Sequence, residues 1–373
     1  MRRVFQAIGG YIRTTDKFLW GYCLFASSLS LLLLFSIYYN GFIDRPRLVL
    51  VQVLATALGV AVAVVISLVD YHSIASLWKI HMPAAIVLTL LTFTPLGVQR
   101  EGTDDRAWLN LGITTLQPSE LLKLSFIFTF ALHLSRVKDH INDVKTFLLL
   151  CLHGAIPIGL IVLQGDYGSA LVFVFIFVLM MFVAGLSWKL IAIGLAGSGV
   201  VAVLSWFFLL EEHHRNRFKI MFNPELDPMG AGFQQMQGRI ALGSGQLFGR
   251  GLFSHNLLNI PEVYNDFIFA YIGQTLGFVG CIAVCVLLGL ICFKVLMVAR
   301  MSRDELGCYI CVGVFATIFF QALVNIGMVL SVMPVIGITL PFLSSGGTSV
   351  VMMYISVGMV LSVYMRNVRR VTY

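Results

Sequence analysis

The segment Pro261-Glu262-Val263-Tyr264-Asn265-Asp266-Phe267-Ile268-Phe269-Ala270 closes the one long polar stretch of this chain, 211–264, and opens an apolar run. It predicts a border between water and membrane, with Asp266 standing on it. A carboxylate at such a border is costly unless it is solvated, paired or used, so Asp266 is the first candidate for chemistry. The plain alternative is a helix cap, in which Asn265 or Asp266 accepts backbone N–H bonds where the run begins.

Working outward, the medium is clear. The 373 residues are 58% hydrophobic and 12% charged, with a mean hydropathy of +0.90. A soluble protein carries about 25% charged residues, so the composition implies an integral membrane protein. The formal charge of +7 comes from basic residues scattered between apolar runs. They form no stripe, which argues against a nucleic-acid partner. The seven cysteines lie in or at the ends of apolar runs, and Cys308 and Cys311, spaced C-x-x-C, have neither a second pair nor a histidine cluster beside them. Helix packing is the expectation there, not zinc or redox chemistry. Arg2, Arg3, Arg13 and Lys17 precede an apolar run over 18–39. That run is too long for a signal-peptide core and reads as a retained first span.

Windows of about 20 apolar residues, the length that crosses a bilayer, fall at 18–39, 48–69, 77–95, 119–135, 145–163, 169–186, 188–210, 265–297, 305–331 and 345–365. The expected fold is an all-α membrane domain over 1–373, with ten transmembrane helices and a large extracytoplasmic loop, 211–264, between the seventh and eighth. With the N-terminus inside, the inner segments hold 15 of the 25 basic residues and six of the 18 acidic ones. The positive-inside rule then places both termini in the cytoplasm and the long loop outside.

Other candidates fall on that outer side. The loop 96–118 runs through Asp104-Asp105-Arg106-Ala107-Trp108-Leu109-Asn110-Leu111-Gly112 into Gln117-Pro118-Ser119-Glu120-Leu121-Leu122-Lys123. Pro118 suits a helical first turn, which Gln117 or Ser119 can cap. Glu120 and Lys123 then share a helix face, either as a self-satisfying pair or with Lys123 offered to a phosphate. Gln164-Gly165-Asp166-Tyr167-Gly168-Ser169 reads first as a tight turn, on the same side as Lys123 and Asp266. His213-His214-Arg215-Asn216-Arg217 reads as a solvated basic segment, since adjacent histidines share no helix face and no third ligand is evident. The glycines from Gly238 to Gly251 suggest a compact loop whose backbone approaches a ligand closely. Pro334-Val335-Ile336-Gly337-Ile338-Thr339-Leu340-Pro341-Phe342-Leu343-Ser344-Ser345-Gly346-Gly347-Thr348 interrupts the apolar pattern, and irregular backbone at membrane depth needs protein or water around it. It is expected to form the second wall of an outer cavity.

Four of these motifs, in this order and across essentially the whole chain, resemble the SEDS (shape, elongation, division and sporulation) family, which includes RodA, FtsW and SpoVE. They are Trp108-Leu109-Asn110-Leu111-Gly112 with Gln117-Pro118-Ser119-Glu120-Leu121-Leu122-Lys123-Leu124; Gly243-Ser244-Gly245 with Phe248-Gly249-Arg250-Gly251; Pro261-Glu262 with Asp266-Phe267-Ile268-Phe269-Ala270; and Pro341-Phe342-Leu343-Ser344 with Gly346-Gly347. The short termini favour a RodA-like or SpoVE-like member. The resemblance implies a peptidoglycan glycosyltransferase that polymerises lipid II outside the cytoplasmic membrane and releases polyprenyl pyrophosphate. It also implies a class B penicillin-binding transpeptidase as partner, within the elongation, division or spore-wall machinery. Asp266 matches the family's essential aspartate, Glu120 and Lys123 match charged motif positions, and Asp166 matches a turn aspartate. Trp108 and Ser344, within these motifs, join the substrate-binding candidates, with Ser345 beside Ser344. Three positions depart from the family pattern: Ala107 stands where an arginine is usual, Gln274 where acidic residues are usual, and Ser345 where a tyrosine is usual.

Such a reaction needs a base at the attacking hydroxyl and positive charge at the departing pyrophosphate. Asp266 is the candidate base, strengthened by burial beside Phe267 and Phe269. Lys123 is the first cation, with Arg106, Arg239 and Arg250 as helpers. No organic cofactor is expected, and a divalent cation, Mg²⁺ or Mn²⁺, on Asp266 or Asp166 would serve as a Lewis acid. Two rivals stand beside this reading. A lipid II flippase would place charges near the midplane on broken helices in repeated halves, and no repeat is present. A silent scaffold for the transpeptidase is the other.

Overall fold

The computed structural model describes residues 9–44, 46–99, 106–110, 112, 115–208, 212–227 and 230–369. Arg2, Arg3 and Arg370 of the charge pattern, and Asp104, Asp105 and Leu111 of the first outer loop, lie outside them. The chain begins with α1 (Lys17–Tyr39), α2 (Arg47–Leu68), the short α3 (Tyr71–Ser76), α4 (Trp78–Leu90), α5 (Pro118–Val137), α6 (Val144–Leu163), α7 (Tyr167–Val183) and α8 (Trp188–Phe208). Two more helices, α9 (Glu212–Phe222) and α10 (Ala231–Ser244), lie in the polar stretch, and α11 (Ile268–Met301), α12 (Glu305–Val329) and α13 (Gly347–Arg369) follow it. Among the described residues six helices, α1, α2, α6, α11, α12 and α13, are long and apolar enough to cross a bilayer. The remaining apolar windows hold α4, α5, α7 and α8.

Two expectations need correction. The domain is not wholly helical: β1 (Gly97–Val98), β2 (Trp108–Asn110) and β3 (Thr115–Leu116) form a small antiparallel meander with Leu109 opposite both Gly97 and Leu116. Backbone groups in the connection between α4 and α5 need partners, and short ladders supply them. The stretch 211–264, expected as one large loop, also carries secondary structure, since α9 and α10 occupy much of it. His213-His214-Arg215-Asn216-Arg217 falls on α9, with Arg215 and Arg217 half-buried and the side chains of His213 and His214 outside the description.

Small residues set the tightest helix pair. The buried face of α2 is Gln52, Ala55, Gly59, Ala63 and Ser67, and it lies on α13. A Cβ added at Gly59 would fall 2.9 Å from the Tyr354 ring, and one at Gly358 would fall 2.8 Å from the Ala63 carbonyl oxygen. With no hydrophobic drive between helices inside lipid, such close backbone approach supplies the attraction. The core centres on α12, which packs against α5, α7, α11 and α13.

The glycine-rich motif meets a helix. At Gly277 (φ 70°, ψ −168°) α11 is interrupted, which leaves backbone groups on both sides of the break without helical partners. Residues 246–251 supply them: Arg250 N donates to Gln274 O (2.9 Å) and Gly251 N to Thr275 O (3.0 Å), while Phe278 N donates to Gln246 O (2.8 Å) and Val279 N to Leu247 O (3.1 Å). A Cβ at Gly249 would stand 2.2 Å from Thr275 O. This loop therefore makes a close backbone approach to α11.

Candidate active site

Asp266 lies in a turn that precedes α11, not at its cap. Turns run over 261–267, and the capping position belongs to Phe267, whose side chain can accept nothing. Asn265 instead looks backwards: its Nδ2 donates to the Glu262 carboxylate (2.7 Å), and its N–H donates to the Glu262 carbonyl (3.0 Å). Glu262 adopts φ 52°, and that left-handed residue turns the chain so that its carbonyl also accepts from Phe267 N at 3.3 Å. The side chain of Asn265 is thus spent on Glu262, and the capping position itself belongs to Phe267.

The interrupted segment 334–348 is laced to this turn. Ser344 Oγ donates to Asn265 O (2.6 Å) and accepts from Leu340 N (2.8 Å), while Ser345 N donates to Tyr264 O (2.7 Å). Asn325, fully buried on α12, joins the two walls. Its Nδ2 donates to Asp266 O at 2.9 Å and to Ile338 O at 2.7 Å. Gly337 has φ 73°, and a Cβ there would lie 3.8 Å from Asp266 Oδ2. The carboxylate is therefore half-buried beside bare backbone, on a main chain fixed from two sides.

The same segment reaches the Asp166 turn. A Cβ at Gly168 would fall 2.4 Å from Ile336 O, so α7 begins against residues 336–338, across from Asp266. Asp166 caps α7, with Oδ1 accepting from Ser169 N (2.8 Å) and Oδ2 from Gln117 Nε2 (3.3 Å). Gln117 occupies the capping position of α5, yet its side chain makes no cap bond and ties to Asp166. Lys123 Nζ meets Glu120 Oε1 at 2.7 Å, with side-chain exposures of 2% and 9%. The structure thus holds Lys123 as one half of a buried pair, with Glu120 already in the place an anionic ligand would take.

The remaining candidates are more dispersed. Arg106 is exposed, and its N–H donates to Gln164 O (3.2 Å); Gln164 is buried and reaches Thr92 Oγ1 at 2.6 Å. Trp108 is half-buried on β2. Arg239 is exposed on α10, one residue beyond Gly238, which packs against the Phe267 ring. Arg250 spends its guanidinium on loop carbonyls, donating to Ser244 O (3.0 Å) and Asn256 O (2.9 Å). Among the described residues no three histidine, cysteine or acidic side chains come together as a metal cage. Asn325, Gly337 and Gln164 were not singled out from the sequence. A carboxamide inside an apolar window was the signal for Asn325, since a buried amide must find partners.

Comparison with known proteins bears on this arrangement. The sequence model of the FtsW/RodA/SpoVE family, described as "Cell cycle protein", matches residues 17–369. Stage V sporulation protein E of Bacillus subtilis is 34% identical over 318 residues, covering 84% of this chain and 85% of its own. Peptidoglycan glycosyltransferase MrdB of Escherichia coli K12 is 30% identical over 292 residues, covering 77% and 78%. Among solved structures, a chain of a peptidoglycan synthase complex described as coordinating polymerization and crosslinking superposes with a TM-score of 0.81 at 26% identity, over 95% of this chain and 98% of its own. The rod shape determining protein RodA of Thermus thermophilus, as an aspartate-to-alanine mutant, gives 0.69 at 26% identity over 94% and 97%. With the four motifs in order, the aspartate held between two walls, and a match over nearly its whole length, the chain belongs to the FtsW/RodA/SpoVE family of cell cycle proteins, the SEDS family.

Proposed function

We propose that this protein is a peptidoglycan glycosyltransferase that polymerises lipid II at the outer face of the cytoplasmic membrane, with Asp266 as general base. The observation that carries the role is the setting of Asp266, half-buried with its main chain pinned by Asn325 and its carboxylate beside Gly337. Relatives named as peptidoglycan glycosyltransferases support the reaction, and a structural neighbour from a peptidoglycan synthase complex supports a crosslinking partner. That partner is a class B penicillin-binding transpeptidase. In this reading the ten apolar windows are ten spans, both termini are cytoplasmic, and the polar stretch with Asp266 faces outward.

The Asp266 carboxylate takes the proton of the acceptor sugar's C4 hydroxyl as that oxygen attacks the anomeric carbon of the donor. The anomeric C–O bond to the pyrophosphate breaks, polyprenyl pyrophosphate departs with the bonding electrons, and the centre inverts. Positive charge at the leaving group stabilises the transition state. Because Lys123 is buried in its pair with Glu120, the exposed Arg239, Arg250 and Arg106 are the cations offered to the pyrophosphate. Asp266 or Asp166 would hold a Mg²⁺ or Mn²⁺ ion, which would supply Lewis-acid charge for the departing pyrophosphate. The prenyl chains lie along the apolar helix faces.

The test is polymerisation of purified lipid II by the wild type and by Asp266→Asn, each with and without its transpeptidase and Mg²⁺. Glycan strands from the wild type and a loss of about 10²–10⁴ in rate from a folded mutant are expected for a general base. Strands at the wild-type rate from Asp266→Asn would remove it from the chemistry. Silence of a folded, assembled wild-type complex under every condition would return the protein to the scaffold or flippase class.

A further inference from the structure

At the far end of α5 from Glu120 lies a second polar constellation that the polymerase reading does not use. His133 stands 15 residues beyond Pro118, and at about 1.5 Å per residue that is about 22 Å along the helix. Here α4, α5 and α6 enclose a cavity of about 220 Å³ lined by Trp78, Thr129, Leu132, His133, Arg136 and His153. None of these side chains is acidic. Lys79 adds a further cation, its Nζ 5.9 Å from the centre of the Trp78 ring.

The two histidines form a wire. His133 Nδ1 lies 3.0 Å from His153 Nδ1, and His153 Nε2 lies 3.2 Å from Thr129 Oγ1, which in turn reaches Phe126 O at 3.2 Å. Two proton arrangements keep the His133–His153–Thr129 contacts without any net charge, and only the first also keeps the Thr129–Phe126 bond. If the threonine hydroxyl donates to Phe126 O, it accepts from His153 Nε2–H, His153 Nδ1 accepts from His133 Nδ1–H, and His133 Nε2 carries a lone pair. If the hydroxyl donates to His153 Nε2, both rings change tautomer and His133 Nε2 carries a proton. An anionic ligand selects the second arrangement, which points an N–H donor at it beside the Arg136 guanidinium.

The surroundings name the occupant. Arg136 is exposed at the end of α5, and the flanking faces of α4 and α6 present Ile80, Leu148 and Leu152 at 66%, 61% and 58% exposure. A cationic pocket opening onto apolar helix faces matches a phosphate ester attached to acyl chains. We propose that this cavity binds the headgroup of an anionic phospholipid, its phosphate held by Arg136, Lys79 and His133 Nε2–H and its acyl chains laid on α4 and α6. Under the proposed orientation this is the cytoplasmic leaflet, the side opposite Asp266, so the site is separate from the lipid II chemistry.

The test is native mass spectrometry of the full-length protein in detergent, titrated with phosphatidylglycerol. The wild type is expected to retain one lipid at concentrations where Arg136→Gln and His133→Phe do not, with affinity about tenfold or more weaker in each variant. Arg300→Gln, which removes an exposed arginine near the end of α11, should bind as the wild type does. Thermal melts establish that each variant is folded, and if Arg136→Gln fails to fold, His133→Phe decides. Unchanged titration of the folded variants overturns the proposal. So does equal retention of diacylglycerol, which has the acyl chains without the phosphate. If inorganic phosphate alone displaces the lipid, the site takes a free anion and the lipid assignment falls. Glycan polymerisation in the same preparations separates a failure of this site from a failure of the polymerase reading.

Discussion

Replacing Asn325 by alanine tests whether the clamp behind Asp266 sets the geometry of the reaction. One amide, fully buried, donates to Asp266 O and Ile338 O, and its removal takes this donor from both carbonyls, one part-buried and one buried. Each stranded acceptor costs about 1–3 kcal/mol, which sets a range of about 2–6 kcal/mol. Side-chain hydrogen bonds between membrane helices average only about 0.6 kcal/mol, because helices separated in lipid find other partners. That discount is small here, since both carbonyls belong to irregular backbone outside any helix and have no ladder to fall back on. A loss of about 2–4 kcal/mol in stability is the expected outcome, read by thermal unfolding in detergent. The larger effect is on activity. A general base displaced by about 1 Å loses about 10² in rate, so Asn325→Ala should slow lipid II polymerisation by about that factor at saturating substrate. Asn325→Asp keeps the shape but points oxygen at both carbonyls, and should be at least as impaired. Polymerisation by folded Asn325→Ala within about threefold of the wild type would refute the argument that this amide positions Asp266.

Glu120→Ala strands the Lys123 ammonium in a site only 2% exposed, and removing one partner of a buried pair costs about 3–5 kcal/mol. Glu120→Leu with Lys123→Leu should recover most of that stability in a thermal melt, and the activity of this double variant reports whether Lys123 also serves the substrate. At Gly277, alanine must adopt a backbone conformation reserved for glycine, at about 1–3 kcal/mol, and its Cβ would fall 2.3 Å from Gly249 N. Gly277→Ala should therefore detach residues 246–251 from α11, seen as protease cleavage in that loop at temperatures where the wild type resists.

Much of this protein is determined by composition and spacing alone. Apolar windows of bilayer length yield helices in the right places because lipid offers backbone groups no other partner, so each must be satisfied within its own segment. Asp266 at the edge of such a window was visible for the same reason, since a carboxylate there stands out against an apolar field. The pairing of Glu120 with Lys123 was also available, because three residues apart on a helix are neighbours. The tertiary structure decided what those features touch. Asn265 bonds backwards to Glu262 because a left-handed residue turns the chain, and Gln117 reaches Asp166 because two helix starts meet. Asn325 clamps the Asp266 turn to residues 336–338 only because α12 passes between them, and the glycine motif closes on the break in α11. His133 and His153 lie 20 positions apart on different helices, and only the packing of α5 on α6 makes them one wire. Spacing along the chain reports contacts within one helix; contacts between helices depend on how the helices lie against one another, and no local pattern encodes that.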